Sequence, residues 1–339
     1  MQLLKNNSFY GILCSGLTDK TILSFSSSNS SFTECVRNHH IVLSNSDNNL
    51  NDPTCLIDGR QTSSPACNTS SRNTLNTGST YDFSLCTWNS CSVSNDAGGA
   101  LKCTGTGTKV YLESCYFISC SAKEKGGAIH TSSIHTLDVK QSVLYQCFTE
   151  TTVDNQGSGA IWIYDIKQKL SLSQNDFISC TSKASGGASN IQLCNRSIQG
   201  ENVINNCNYI CCNATNQSPE GGAIWIWENE ALIGLENCIF SHCSSDYGGA
   251  LRHECCGYQE QSYPIRYCFF NRNTGVFGND VGLRLYVPTS EYAALLLCFS
   301  TSDQNRIGYH VNNNWASTNV DWLPSGTAVS NILLFTSFA

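Results

Sequence analysis

Cysteine gives this chain its main capacity for chemistry, since 21 of its 339 residues are cysteines. Several of them form pairs with four residues between the two members. These pairs are Cys86 and Cys91, Cys115 and Cys120, Cys207 and Cys212, and Cys238 and Cys243. Disulfide bonds or rows of buried thiols would both account for them, because a free cysteine packs as a small apolar residue. In a stacked repeat, equivalent side chains point the same way rather than at each other, which favours buried thiols.

The less regular cysteines are the better candidates for disulfides, which would suit a secreted or surface-exposed protein. They are Cys55, Cys67, Cys194, Cys255 and Cys256. The segment from His253 to Cys256 is a tight His/Cys cluster, but it lacks the paired spacings of structural zinc sites. The sequence therefore predicts neither a metal site nor a cofactor.

Acidic residues decide whether the chain could be an enzyme. Hydrolysis of a polysaccharide uses two carboxylates at the scissile bond, and a lyase uses calcium-binding carboxylates with a basic residue. The 26 Asp and Glu residues are scattered, with no Asp-Asp pair and no Gly-His-Gly. His130 and His135 lie near one predicted strand, where we expect a solvated surface pair. No catalytic residue is predicted, and a pectin-lyase-like polysaccharide lyase or glycoside hydrolase is the alternative to a non-enzymatic protein.

Four aromatic residues are the candidates for binding. They are Trp162, Tyr164, Trp225 and Trp227. They alternate with isoleucines, and successive side chains of a strand point to opposite faces. If the isoleucines face the core, the aromatic residues form an outer stripe that binds a protein or a glycan. The alternative is that a long loop buries them.

A repeat of about 30 residues must position all of these side chains. Each copy has an aromatic residue, a cysteine three positions later, a polar stretch and then Gly-Gly-Ala. The clear copies cover residues 86–100, 115–129, 176–188, 207–224 and 238–251. Weaker copies follow Phe32, Leu144, Phe270 and Cys298, and in the last three the first corner glycine is taken as Gly157, Gly278 and Gly308.

The repeat predicts an all-β fold, a right-handed parallel β-helix of eight to ten coils. The segments after each corner are short, β-branched and aromatic, and helical periodicity is missing. Stacked coils place equivalent residues about 4.8 Å apart, so like residues form ladders. The predicted ladder residues are Phe117, Cys120, Phe177, Cys180, Phe240, Cys243, Gly126, Gly127, Gly186, Gly187, Gly221, Gly222, Gly248 and Gly249.

The remaining sequence is assigned to the ends of the stack. We expect irregular early coils and a cap over residues 1–80, β-helix repeats over 81–310, and a capping segment of a longer parent over 311–339. The net charge of −7 and the lack of a Lys/Arg run argue against nucleic acid as a partner. No apolar run reaches the roughly 18 residues of a membrane span, and no signal peptide is visible.

Phe-x-x-Asn with Gly-Gly-Ala-Ile is the motif pair of the chlamydial polymorphic membrane proteins. The chain has Gly-Gly-Ala-Ile at 126–129 and 221–224, Phe-x-x-Asn at 270–273, and Phe-x-x-Cys at the predicted Phe/Cys ladder positions. Over roughly residues 80–310 this cysteine form resembles the polymorphic-membrane-protein-like surface proteins of trichomonad protists. The resemblance implies a β-helix displayed at a cell surface or outside the cell, with a role in adhesion.

Overall fold

A computed structural model describes eleven ranges of the chain, all within the compact unit Pro65–Ala339. These are residues 68–75, 78–153, 157–193, 202–215, 218–228, 233–255, 264–285, 295–300, 307–311, 314–318 and 335–336. In them the secondary structure is strand and contains no helix. Parallel strands stack into a β-solenoid, which confirms the predicted parallel architecture. Nine strands of one sheet stack in parallel, one from each turn, in agreement with the eight to ten coils predicted. The copy after Phe32 lies outside the described residues.

The largest sheet has 16 strands and takes two strands from most turns. The first row contains Thr80–Ser84, Lys109–Glu113, Thr136–Lys140, Lys169–Ser173, Val203–Asn205 and Gly234–Glu236. The second row contains Asn68–Thr69, Thr87–Asn89, Tyr116–Ile118, Val143–Tyr145, Asp176–Ile178, Asn208–Ile210 and Ile239–Ser241. Pro264–Asn271 belongs to both rows, and Leu295–Ser300 and Phe335–Thr336 follow it.

The second sheet has ten strands and follows the Gly-Gly-Ala corners. Its strands are Asn73–Leu75, Leu101–Thr104, Ile129–Ser132, Ile161–Tyr164, Ser189–Leu193, Ile224–Glu228, Leu251–Cys255, Val281–Leu285, Ile307–Val311 and Asn314–Thr318. Only the last two pair in antiparallel fashion among these strands. A third sheet contains Ser92–Val93, Ser121–Ala122, Phe148–Thr149, Thr181–Ser182 and Asn213–Ala214. Parallel pairing extends N-terminal to residue 81, because Asn68–Thr69 and Asn73–Leu75 each pair with the next turn.

Besides the Gly-Gly-Ala corner, each turn bends at two further corners where a non-glycine residue has a positive φ, such as Ser114 (53°) and Ser119 (50°). The residue after each bend points into the core and forms a column with its equivalents. The first corner column is Cys86, Cys115, Ser142, Asn175, Cys207, Cys238 and Cys268. The second corner column is Cys91, Cys120, Cys147, Cys180, Cys212, Cys243 and Asn273. Both columns are fully or almost fully buried.

The predicted preference for thiols over disulfides is confirmed in the second corner column, whose six cysteines form no disulfide. In the first column Cys86 is disulfide-bonded, whereas Cys115, Cys207, Cys238 and Cys268 keep their thiols. Burial raises the pKa of Cys115 to about 12, so its thiol stays protonated at neutral pH. The side chains of the five irregular cysteines proposed for disulfides lie outside the described residues.

The predicted aromatic ladder runs through the core beside the second corner column. Its members are Trp88, Phe117, Leu144, Phe177, Tyr209, Phe240 and Phe270. Neighbouring rings are nearly parallel, with centroids 4.6 Å apart for Phe177 and Tyr209 and 5.0 Å for Tyr209 and Phe240. The ladder therefore repeats at the spacing between parallel strands.

Two glycines are required at a corner for different reasons. Gly186 has a φ of +69°, which a side chain disfavours. Gly187 faces the next coil so closely that a Cβ would lie 1.9 Å from the carbonyl oxygen of Gly222.

The strand register corrects two positions in the weaker repeats. Ile129 pairs with Ile161, so Ser158 rather than Gly157 is the counterpart of Gly126.

The second correction concerns the last repeat. Gly308 pairs with Gly282 within a strand, so it is not the equivalent of the corner residue Gly278. The glycine pattern alone misplaced these corners because the polar stretches before them differ in length.

Candidate functional site

The outward face of the second sheet carries the predicted aromatic residues. We call this face the outer strip. Its first column, directly after the corners, is Lys102, His130, Trp162, Asn190, Trp225 and Arg252. Its second column is Thr104, Ser132, Tyr164, Gln192, Trp227 and Glu254. The predicted alternation is confirmed, since Ile161, Ile163 and Ile224 lie in the apolar core.

Exposure differs between the aromatic residues of the two columns and corrects the prediction of an exposed aromatic stripe. Trp162 and Trp225 in the first column are only 4% and 2% exposed. Tyr164 and Trp227 in the second column are half-buried. The binding role proposed for the four residues stays a prediction, and only the second column presents aromatic surface to solvent.

The polar stretch before each corner explains why the first column is buried. Lys125, which precedes a corner, places its Nζ 4.5 Å from the ring centroid of Trp162 in the next coil. Gly157 accepts a hydrogen bond from Asn190 Nδ2 in the next coil, at 3.0 Å. Glu220 likewise approaches Arg252. The residue before one corner thus covers the first-column side chain one coil further along.

At one end of the strip His130 stacks on Trp162, with ring centroids 4.9 Å apart and an interplanar angle of 2°. Tyr164 stacks beside Trp162 at 5.5 Å. His130 is 7% exposed, so the expected solvated histidine pair is wrong for this residue. Burial is the main reason that the pKa of His130 falls to about 3, and Lys125 and Lys102 lower it further. His130 is therefore neutral at physiological pH.

Below His130, Asp96 holds two cations. Lys102 Nζ and Arg72 Nη1 lie 2.7 and 2.8 Å from its carboxylate oxygens. Burial disfavours the charged carboxylate, but Lys102, the Ala97 N–H and Arg72 outweigh this and hold the pKa of Asp96 well below its usual range. These two cations are therefore already neutralised in part, unlike Lys125.

At the other end of the strip, charged groups are buried together. Arg252 is fully buried and its Nη2 lies 2.9 Å from Glu254 Oε1, while its Nε is 3.8 Å from Glu220 Oε2. Trp225 Nε1 donates a hydrogen bond to the same Glu254 oxygen at 3.4 Å. The charges of such a buried pair stabilise each other, because removing one partner leaves the other charge buried and uncompensated.

Two amide side chains lie between the two ends of the strip. Asn190 is fully buried and accepts a hydrogen bond at Oδ1 from Gln192 Nε2, at 3.2 Å. His130, Asn190, Gln192, Arg252 and Glu254 were not among the predicted site residues. The signal that would have found them is their fixed offset from each corner, which applies to every coil and not only to the two with aromatic pairs.

Within the described residues, no three His, Cys, Asp or Glu side chains are grouped as a metal site would require. His253 faces inward at 7% exposure, and the side chains of Cys255 and Cys256 lie outside the described part. The same described ranges contain no helix with the length and apolar character that a membrane span needs.

In comparisons with known proteins, no family model, curated protein or solved structure matches the chain.

Proposed function

We propose that the chain is a non-enzymatic β-helix protein displayed at a cell surface or outside the cell, where it serves as an adhesin-like binder or a structural scaffold. The Phe-x-x-Cys and Gly-Gly-Ala-Ile repeats support a relation to the polymorphic-membrane-protein-like surface proteins. The partner is a protein or a glycan, and it is bound by the outer strip.

The half-buried pair of Tyr164 and Trp227 carries this proposal. The two side chains stand in one column, two coils apart, with Gln192 between them. At about 4.8 Å per coil they are roughly 10 Å apart, a span that a short peptide or a disaccharide covers. Partly exposed aromatic surface held on a sheet is suited to recognition.

The test is binding of the purified chain to cells and to a glycan array. Changing both Tyr164 and Trp227 to Ser removes the aromatic surface without touching the core, and binding should fall to background. Tyr267→Ser is the matched control, because Tyr267 is 57% exposed and lies at a corner outside the strip. Full binding by the double variant, or no binding by the unmodified chain, would count against the proposal.

A polysaccharide-active enzyme is the second candidate, because Glu220 and Glu254 both approach Arg252. Glycoside hydrolysis, however, requires one carboxylic acid to stay protonated, and here both groups lie against the same arginine. The arrangement therefore supports a structural ion cluster better than an acid/base pair. Release of reducing ends from polysaccharides by the chain, abolished by Glu254→Gln, would reverse this order.

A further inference from the structure

Two buried ring nitrogens at one end of the outer strip lack a hydrogen-bond partner among the described residues. They are Trp162 Nε1 and His130 Nδ1. Both side chains are more than nine-tenths buried, and their rings stack against each other. Buried polar groups in folded proteins nearly always have partners, so two unpaired groups side by side indicate a place where a ligand supplies the acceptor.

Lys125 adds a charge to the same place. Its ammonium lies over the Trp162 ring at 4.5 Å and is close enough to His130 to affect that ring electrostatically. Among the described residues no carboxylate is within ion-pair distance of Lys125, whereas Lys102 and Arg72 share Asp96. The cluster is thus locally cationic in a chain whose net charge is −7.

We propose that His130, Trp162 and Lys125 form a subsite for an oxyanion, namely the carboxylate or sulfate group of an acidic glycan. The inference rests on the proposed function and adds the substrate class to it. The indole N–H donates to one oxygen, and His130 donates from Nδ1 in the tautomer that carries the proton there. Lys125 swings off the indole face, admits the oxyanion and then pairs with it.

The geometry favours an oxyanion over a neutral sugar at this position. A neutral sugar would stack on an open aromatic face, but His130 and Lys125 already occupy the surroundings of the Trp162 ring. What the cluster offers is N–H donors at the ring edges and the ammonium group of Lys125. The half-buried Tyr164 next to Trp162 would contact the sugar ring that carries the acidic group.

Inorganic sulfate is the first probe, because its binding does not depend on the proposed adhesive function. The indole N–H signals of 15N-tryptophan-labelled protein are followed at constant ionic strength, and Trp162→Phe identifies the Trp162 signal. We expect a saturable shift of that signal with sulfate and none with matching chloride. Lys125→Met should weaken the apparent affinity by about tenfold, the order of effect for losing a charged hydrogen-bond partner.

Lys123→Met is the matched control, because Lys123 lies in the same polar stretch but is exposed and should leave the sulfate response unchanged. Absence of a sulfate shift, or an equal loss in the Lys123 and Lys125 variants, would overturn the subsite.

Calorimetry with sulfated, uronic-acid and neutral oligosaccharides then identifies the source of the oxyanion. The subsite predicts that Lys125→Met weakens binding of the acidic ligands and leaves the neutral ligand unaffected. If Tyr164 and Trp227 variants abolish glycan binding but Lys125→Met changes no ligand, the subsite is wrong and the proposed function stands. If sulfate shifts Trp162 but no cell or oligosaccharide is bound, an anion site is present, but its assignment to an acidic glycan and the adhesive function are both wrong.

Discussion

Truncation of Phe177 tests whether the aromatic ladder stabilises the solenoid. Phe177 is fully buried, stacks on Tyr209 at 4.6 Å on one side and faces Leu144 on the other. Phe177→Ala removes a whole buried ring and should lower the free energy of unfolding by about 3–5 kcal/mol. Phe177→Leu copies the residue that the preceding coil already uses, so only the stacked pair and a small volume are lost, about 1–1.5 kcal/mol.

The assay is equilibrium urea unfolding followed by tryptophan fluorescence and circular dichroism. The two signals must give the same midpoint, since long repeat stacks can lose cooperativity. Phe148→Ala is the control, because Phe148 is 38% exposed on another sheet and its loss should change stability by less than about 0.5 kcal/mol. Equal destabilisation by Phe177→Leu and Phe177→Ala, or by Phe177→Ala and Phe148→Ala, would refute the argument from stacked core columns.

The thiols, the corner glycines and His130 each allow a further prediction. Alkylation of the native protein at pH 8 should label the half-buried Cys211 well before the eleven buried cysteines that form no disulfide, as read by peptide mapping, because burial keeps the reagent away from their sulfur atoms; rapid labelling of the column cysteines would contradict their burial. Gly187→Ala should lower the urea midpoint of unfolding much more than Gly78→Ala. The Cβ added at Gly187 would lie 1.9 Å from the Gly222 oxygen, whereas the Cβ added at Gly78 would lie 3.1 Å from the Thr106 oxygen. Equal midpoints would show that neighbouring coils can move apart at the corner. Because the pKa of His130 is depressed, its contribution to the free energy of unfolding is complete above about pH 6.5 and is lost as the pH falls towards about 3. His130→Phe should flatten the plot of unfolding free energy against pH between these values, and an unchanged slope would argue against a buried neutral histidine.

The sequence predicted the ladders because a solenoid imposes the same environment once per turn. The distance from an aromatic residue to the cysteine three positions later is fixed by a short strand and one corner, so this part of the repeat is constant. The number of polar residues before the next corner is not constrained in this way. That freedom is why Gly157 was placed one residue from its true register and why Gly308 was taken for a corner.

Exposure of the outer strip was the part that sequence alone could not provide. Alternation along a strand states which face a side chain is on, and this was correct for Trp162 and Trp225. It does not state what covers that face. Here the cover comes from residues before the corner of the preceding coil, such as Lys125, and a contact between coils has no local sequence signal.

The corner columns explain why so many cysteines are compatible with this fold. Asn273 accepts a hydrogen bond from the backbone N–H of Cys243 at 2.9 Å and donates one to the carbonyl of Phe240 at 3.2 Å. One coil earlier, Cys243 Sγ approaches the equivalent carbonyl of Tyr209 at 3.5 Å. The thiol thus occupies the place of the asparagine donor in a smaller and more apolar form.

This equivalence changes what the cysteine content implies. A cysteine at an asparagine position of a fully buried column fits there by its size and its weak donor, and this role needs no redox chemistry. The absence of disulfides in the second corner column agrees with that role, because a disulfide would pull stacked side chains out of the direction that the strand register gives them. The disulfide at Cys86 shows that the first corner column nevertheless admits oxidation. Location at a cell surface therefore stays a proposal that rests on the resemblance of the repeat motifs, and the number of cysteines adds little to it.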